Sequence, residues 1–281
     1  MIVAEEFAQR TWEAELTLCY EQRAQRSVLT QRQHRGPLVV QKPFYPEGDA
    51  VCHSIIVHPP GGIVAGDRLS INVNVAAHAH ALITTPGATK WYRSEGDLAE
   101  QHITLKVAAG ASLEWLPQEA IVFNSTRARQ TIAVELAEDA RYFAWDILVL
   151  GRIASQERFA RGRYEQAWQV MRNGVPLWLE RGQIVGNSTL LTAPAGLAGC
   201  PVLATLIAVG NAPNAALVAS CRAITVGGGA HVAISALPHV LTARYLGHRV
   251  EDAKSFLQSI WRELRPHYFG RAAQTPRIWS T

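Results

Sequence analysis

The chain has 281 residues, 48% of them hydrophobic and 18% charged, with a formal net charge of +4. That apolar share supports a sizeable core and excludes a chain disordered along its length. Of the 27 basic residues 23 are Arg, scattered without any run of five like charges. This suits bidentate contacts to carboxylates on acidic partners and argues against a nucleic-acid-binding tract.

Taken in chain order, the dominant period is two. Trp12, Ala14, Leu16, Leu18 and Tyr20 alternate with polar residues, and so do Leu69–Val75, His102–Val107 and Thr131–Leu136. Each such strand offers one face to a core and the other to water. Further strands are expected at Cys52–Val57, Ala81–Thr84, Ser112–Leu116, Phe143–Leu150, Tyr164–Met171, Leu177–Glu180 and Val202–Val209. Asn173-Gly174, both tolerant of positive φ, marks a hairpin between two of them. Near the C-terminus the period changes: Val250, Ala253, Phe256, Leu257, Ile260, Trp261 and Leu264 form one helical stripe, with Glu251 and Asp252 in its first turn and Pro266 ending it. A shorter helix is expected before it, at about His239–Leu246. With no βα alternation, no linker and no repeat of fixed period, residues 1–281 read as a single mainly β, elongated domain whose helical segment covers about 239–265.

Between Arg181 and Arg222 lie 40 residues without Asp, Glu, Lys or Arg. The best apolar run there, Leu197–Val209, is interrupted by Gly199 and Pro201. That is well short of the ~20 residues a spanning helix needs, so the stretch reads as core, not membrane. The first residues, Met1-Ile-Val-Ala-Glu-Glu-Phe, are acidic where an export signal would be basic. Cys19, Cys52, Cys200 and Cys221 form no CxxC pair, and a cytosolic protein with reduced, buried thiols is expected.

The chain carries no G-x-G-x-x-G, no G-x-x-x-x-G-K-[ST], no H-E-x-x-H and no G-x-S-x-G. Its most unusual segment is His58-Pro-Pro-Gly-Gly-Ile-Val-Ala-Gly-Asp67. Glycines there fit a turn with positive φ, and the terminal imidazole and carboxylate together suit a divalent metal such as nickel. His78 and His80 share one side of an expected strand, a spacing that can bind a metal but reads first as a solvated edge. Cys52 and His53 point to opposite faces and make a poor pair. Glu114, Glu119, Asp146 and Glu180 sit in apolar, aromatic surroundings, where a carboxylate needs a partner, a hydrated channel or a metal. Arg152, Arg158, Arg163 and Arg181 are near in sequence and are the expected partners.

Several blocks in order resemble the urease accessory protein UreD family, called UreH in some lineages. They are His58–Leu69, Thr84-Thr-Pro-Gly-Ala-Thr-Lys-Trp-Tyr-Arg-Ser94, Leu113-Glu-Trp-Leu-Pro-Gln-Glu119, Leu150-Gly-Arg152 with Glu157-Arg-Phe159, Pro176-Leu-Trp-Leu-Glu-Arg181 and Pro276-Arg-Ile-Trp279. The resemblance implies a β-helix-like stack of strands with a small C-terminal helical part. It also implies a cytoplasmic, non-catalytic maturation factor that binds the urease apoprotein, a UreF-like protein and, through it, a UreG-like GTPase. No cofactor is held permanently; a transient nickel ion passes through a water-filled tunnel, and neither nucleic acid nor membrane is a partner. Carried over by position, the tunnel residues are Asp67, Asp146 and Glu180, with Thr85 adding a hydroxyl to the wall. Two other readings stay open on the residues: a β-helix-type hydrolase with paired carboxylates (Glu114 with Glu119, or Asp146 with Glu180), and a purely structural β protein that binds partners through Trp and Arg anchors.

Overall fold

A computed structural model describes residues 12–280. The acidic N-terminal segment, read above as unlike an export signal, lies outside the described residues. In chain order the strands are β1 (Glu13–Arg23), β2 (Arg26–Arg35), β3 (Val39–Val40), β4 (Cys52–Val57), β5 (Arg68–Val75), β6 (His80–Thr84), β7 (Thr89–Trp91), β8 (Ala99–Val107) and β9 (Ser112–Leu116). They continue with β10 (Ala120–Val122), β11 (Thr126–Leu136), β12 (Arg141–Leu150), β13 (Gly162–Arg172), β14 (Val175–Val185) and β15 (Val202–Val209). Helix α1 (Ala215–Ala223), β16 (His231–Ala236), β17 (Val240–Gly247) and helix α2 (Val250–Phe269) complete the order.

From β4 to β13 the main strands alternate between two sheets. One sheet runs β14-β13-β11-β8-β5-β1-β2 and the other β16-β17-β15-β12-β9-β6-β4-β3, with β7 and β10 joining the second at its side. Each coil adds a parallel strand to both sheets: β5, β8, β11 and β13 in the first, β4, β6, β9 and β12 in the second. This is the β-helix-like stack. Arg68 pairs with Glu100, Ala99 with Ala128 and Arg127 with Arg163, so successive coils take 32, 29 and 36 residues. Unequal coils leave no fixed period in the sequence. Antiparallel strands β2 and β14 close the ends of the first sheet, the latter through the Asn173-Gly174 turn, with φ of 48° and 78°.

The two sheets bury one apolar cluster between them, from Leu16, Ile71, Ile103 and Val134 on one side to Ala81, Leu113 and Ala144 on the other. The outer face of the first sheet is in water, which is why β8 alternates buried and exposed residues. The second sheet is covered on its other face by α1 and α2. Accordingly β6 and β9 are buried at every position and β12 at all but its first.

Two expectations at the helical end need correction. Residues 240–247 are strand β17, which pairs with β15 and β16; its Val240-Leu-Thr-Ala243 start is buried on both faces, as an inner strand must be. Helix α2 does not stop at Pro266 but runs to Phe269, because Leu264, Arg265, Tyr268 and Phe269 are all buried against the sheet. Its end is Gly270, in the left-handed region at φ 67°. Helix α1 was not expected; its start is Asn214, whose side chain accepts from the Leu217 N–H at 2.8 Å.

Candidate functional site

The apolar alternation of three neighbouring strands is broken at one level. Gln101 on β8, Gln130 on β11 and Gln166 on β13 are register partners, and each stands at a position where the core-facing phase calls for an apolar side chain. They bond in series. Gln130 Nε2 donates to Gln101 Oε1 at 3.1 Å, and Gln166 Nε2 donates to Gln130 Oε1 at 3.2 Å, as does the Tyr164 hydroxyl at 3.0 Å. Gln166 Nε2 then donates across to the opposite sheet, to Asp146 Oδ2 on β12 at 2.8 Å. In that sheet Asp146 is in register with Thr205, and Thr205 with Arg244. Arg244 returns to the first sheet, pairing with Glu180 Oε1 on β14 at 3.1 Å. A polar layer thus runs from the buried Gln101 and Gln130 to the exposed Arg244 at the protein surface.

Asp146 is the hinge of this layer, because it lines two cavities. The smaller, 300 Å³, is also bordered by His58, Thr85, Lys90, Gln101 and Gln130; the larger, 430 Å³, by Tyr164, Gln166, Glu180, Thr205 and Arg244. Only 8% exposed, Asp146 has its pKa pushed up to about 6 by burial. The hydrogen bond from Gln166 opposes that rise and the neighbouring Glu180 charge adds to it. The second Glu180 oxygen, Oε2, is buried and has no hydrogen-bond partner among the described residues. An orphaned carboxylate oxygen beside a carboxyl whose ionisation is disfavoured leaves acceptor capacity that the described protein groups do not use.

The other two expected residues stand differently. Thr85 borders the smaller cavity, where its Oγ1 accepts from the Gln118 N–H at 2.9 Å and donates to the Gly87 carbonyl at 3.2 Å. Asp67 lines neither cavity. At 2% exposure its carboxylate accepts from the backbone N–H of Val64 at 2.9 Å and of Trp12 at 3.4 Å, tying the glycine-rich loop to β1. It acts on the smaller cavity electrostatically, through His58: burial lowers the His58 pKa, and the Asp67 charge opposes that. The loop itself is a close approach, since a Cβ on Gly62 would lie 2.9 Å from the Lys90 carbonyl oxygen.

Of the carboxylates offered to the hydrolase reading, Glu114 and Glu119 are engaged in ion pairs. Glu114, 0% exposed, accepts from Arg265 Nε at 3.0 Å and Nη2 at 2.9 Å, from His80 Nε2 at 2.8 Å and from Trp261 Nε1 at 2.7 Å. Arg265 also donates to Glu47, which is bonded to His53 at 2.7 Å. Glu119 pairs with Lys254. The expected arginines were the wrong ones: Glu114 takes Arg265 and Glu180 takes Arg244, both far away in sequence. His80 is not a solvated edge but a buried partner of Glu114. His78, at φ 64°, sits in the preceding turn under Gly110, whose absent Cβ leaves room for the imidazole. Arg265, Glu47 and the three glutamines escaped the sequence reading; for the glutamines the signal was present in Ala99-x-Gln-x-Ile103, Ala128-x-Gln-x-Ile132 and Tyr164-x-Gln-x-Trp168.

Among the described residues no three His, Cys, Asp or Glu side chains converge to hold a metal ion, and no helix is long and apolar enough to cross a membrane. Comparison with known proteins adds the family. The profile of the UreD urease accessory protein matches residues 13–280. The urease accessory protein UreD of Dechloromonas aromatica is 50% identical over 274 residues, spanning 96% of this chain and 95% of its own length. Those of Nitrosococcus oceani and Pseudomonas fluorescens are each 48% identical, over 96% of this chain and 91% and 96% of theirs. Blocks scattered from the glycine-rich loop to the C-terminal tryptophan therefore belong to one continuous likeness, and the chain belongs to the UreD urease accessory protein family.

Proposed function

We propose that this chain is a cytoplasmic, non-catalytic maturation factor that binds the urease apoprotein and a UreF-like protein, engages a UreG-like GTPase through the latter, and conducts nickel as cargo along its polar layer. The observation that carries the reading is that Asp146 borders both cavities, the one beside Thr85 and the open cleft beside Glu180. An ion leaving the smaller cavity meets a carboxylate that also faces the larger one, where Glu180 offers the next oxygen. Spaced oxygen donors with glutamine amides between them bind a divalent ion loosely enough to release it, as transit requires. Protons compete for the same carboxylate, so the passage closes to metal as Asp146 is neutralised below about pH 6.

The test uses cells that lack this chain but carry urease and its other accessory proteins. Full-length wild type, Asp146→Ala and Glu180→Gln are supplied, and urease activity, nickel per urease and co-purification with the apoprotein are measured at limiting nickel. Both variants are expected to retain the complex and to lower nickel content and activity together. Full nickel loading by both variants would overturn the passage while leaving the scaffold role; failure of the wild-type chain to associate with the apoprotein would overturn the scaffold role as well.

A further inference from the structure

A second set of donors lies outside the polar layer. Antiparallel pairing of Val202 with Gly247 sets the residues just before β15 beside those just after β17. There Cys200 Sγ and His248 Nε2 stand 3.6 Å apart. Both border an open cavity of 710 Å³ formed with the loops around Gln156 and Asn187. Cys200 is 5% exposed and its backbone is fixed, its N–H donating to the Leu197 carbonyl at 2.7 Å and the next carbonyl, of Pro201, accepting from Leu150 at 2.8 Å. His248 is exposed. The two donors therefore flank neighbouring strand ends, one buried and soft, the other reachable from solvent.

The separation is informative. With metal–sulfur and metal–nitrogen bonds of about 2.3 and 2.0–2.1 Å, a tetrahedral ion holds its S and N ligands about 3.5 Å apart, whereas a right-angled square-planar or octahedral ion draws them to about 3.1 Å. The observed 3.6 Å, the length of a thiol–imidazole hydrogen bond, lets an ion of the first kind replace the shared proton with little movement of either side chain. Glu157, the acidic neighbour in the cavity, is committed to Arg152 at 2.6 Å and to the Asn124 N–H at 3.0 Å, so it is not a third ligand.

We infer that Cys200 and His248 form a two-donor metal site for a thiophilic, tetrahedral divalent ion of the Zn²⁺ type, whose remaining positions are open to water or to donors of a partner protein. As the sulfur–metal bond forms the thiol proton passes to solvent, one proton per ion, and the imidazole nitrogen supplies its lone pair. The site is distinct from the Asp146 passage, since none of its donors borders either of the cavities that Asp146 lines. It gives this chain a separate point at which another metal is held at the surface.

Cobalt(II) is the probe, titrated anaerobically into the full chain, because tetrahedral thiolate coordination gives a thiolate-to-cobalt charge-transfer band and intense visible bands. One equivalent is expected, displaced by Zn²⁺ and poorly by Ni²⁺. Cys200→Ser should abolish the charge-transfer band. His248→Gln should weaken binding by more than about tenfold, since even outer-shell losses at metal sites reach that range. Cys19→Ser and Glu180→Gln should leave the spectrum intact. A band that persists in Cys200→Ser, a band that disappears in Cys19→Ser, or a weak six-coordinate spectrum in the wild type would each overturn the site. Should Cys200→Ser fail to fold, His248→Gln at the exposed position decides: unchanged affinity and spectrum reject the proposal. None of these outcomes bears on the nickel passage, which rests on other residues.

Discussion

Asp146 is a residue whose environment works against its charge. Its pKa is raised from 3.8 to about 6, so the folded state holds the proton more firmly than the unfolded chain does. The associated stability is fully present below the unfolded value and is lost as pH rises through the folded one. A rise of that size is worth on the order of 3 kcal/mol once both states are ionised. Asp146→Asn keeps an oxygen for Gln166 and carries no charge. It is expected to be more stable than the wild type at pH 8, by about 1–3 kcal/mol, and to match it at pH 4. Urea denaturation at the two pH values measures this; equal stability at both would mean that Asp146 is better solvated than its burial implies. At this scale the sequence carried the identity of the carboxylates but not their partners. Asp146 and Glu180 were legible as carboxylates in apolar surroundings. That they share a cavity was not, because β12 and β14 belong to different sheets. Asp67, singled out by its glycines, proves to hold a turn together, a role in which a short carboxylate beside two backbone N–H groups needs no cavity.

At the scale of elements, α2 is held by more than its apolar stripe. Arg265 is 0% exposed and lies between Glu47 and Glu114, while Trp261 donates to the same Glu114. Burial alone would raise the Glu114 pKa, but His80 and Arg265 outweigh it and hold it down to about 2. A depressed carboxyl stabilises the fold above its unfolded value and loses that contribution as pH falls toward 2. Glu114→Gln leaves the buried guanidinium short of a counter-charge, a loss of about 3–5 kcal/mol at pH 7 when one partner of a buried pair is removed. The gap to the wild type should narrow steadily from about pH 4.5 downward, read from thermal or urea midpoints in an acid series. A constant gap would assign the loss to packing instead. The stripe of α2 and its acidic first turn were readable from periodicity. The extension past Pro266 was not, because tertiary burial of Tyr268 and Phe269 overrides a local breaker. For the same reason an inner strand buried on both faces, β17, reads like a short helix: without alternation, length and flanks are the only guide.

On the scale of the whole molecule, the polar layer and the two apolar clusters have to be considered together. A stack of coils between two sheets would be most stable with an apolar side chain at every inward position, yet three successive strands of the first sheet spend that position on glutamine. The violation repeats in register, so it is one feature and not three accidents. Gln130 is its centre, accepting from Tyr164 and Gln166 and donating to Gln101. Gln130→Leu conserves much of the volume and removes the amide, which leaves up to three neighbouring polar groups to find other partners at about 1–3 kcal/mol each, offset in part by added apolar burial. The fold is expected to survive with a stability within a few kcal/mol of the wild type, and the variant should still co-purify with the urease apoprotein. The route proposed between the two cavities, however, would then run past a hydrocarbon side chain that offers no oxygen to an ion or to the water around it. Nickel per urease at limiting nickel should fall well below that reached with wild type, and raising the nickel supply should restore it only in part. If Gln130→Leu activates urease as fully as the wild type while Asp146→Ala does not, nickel reaches Asp146 without crossing the glutamines. The ladder would then be a packing device for the coil, and the ion would enter the larger cavity from the side of Glu180 and Arg244.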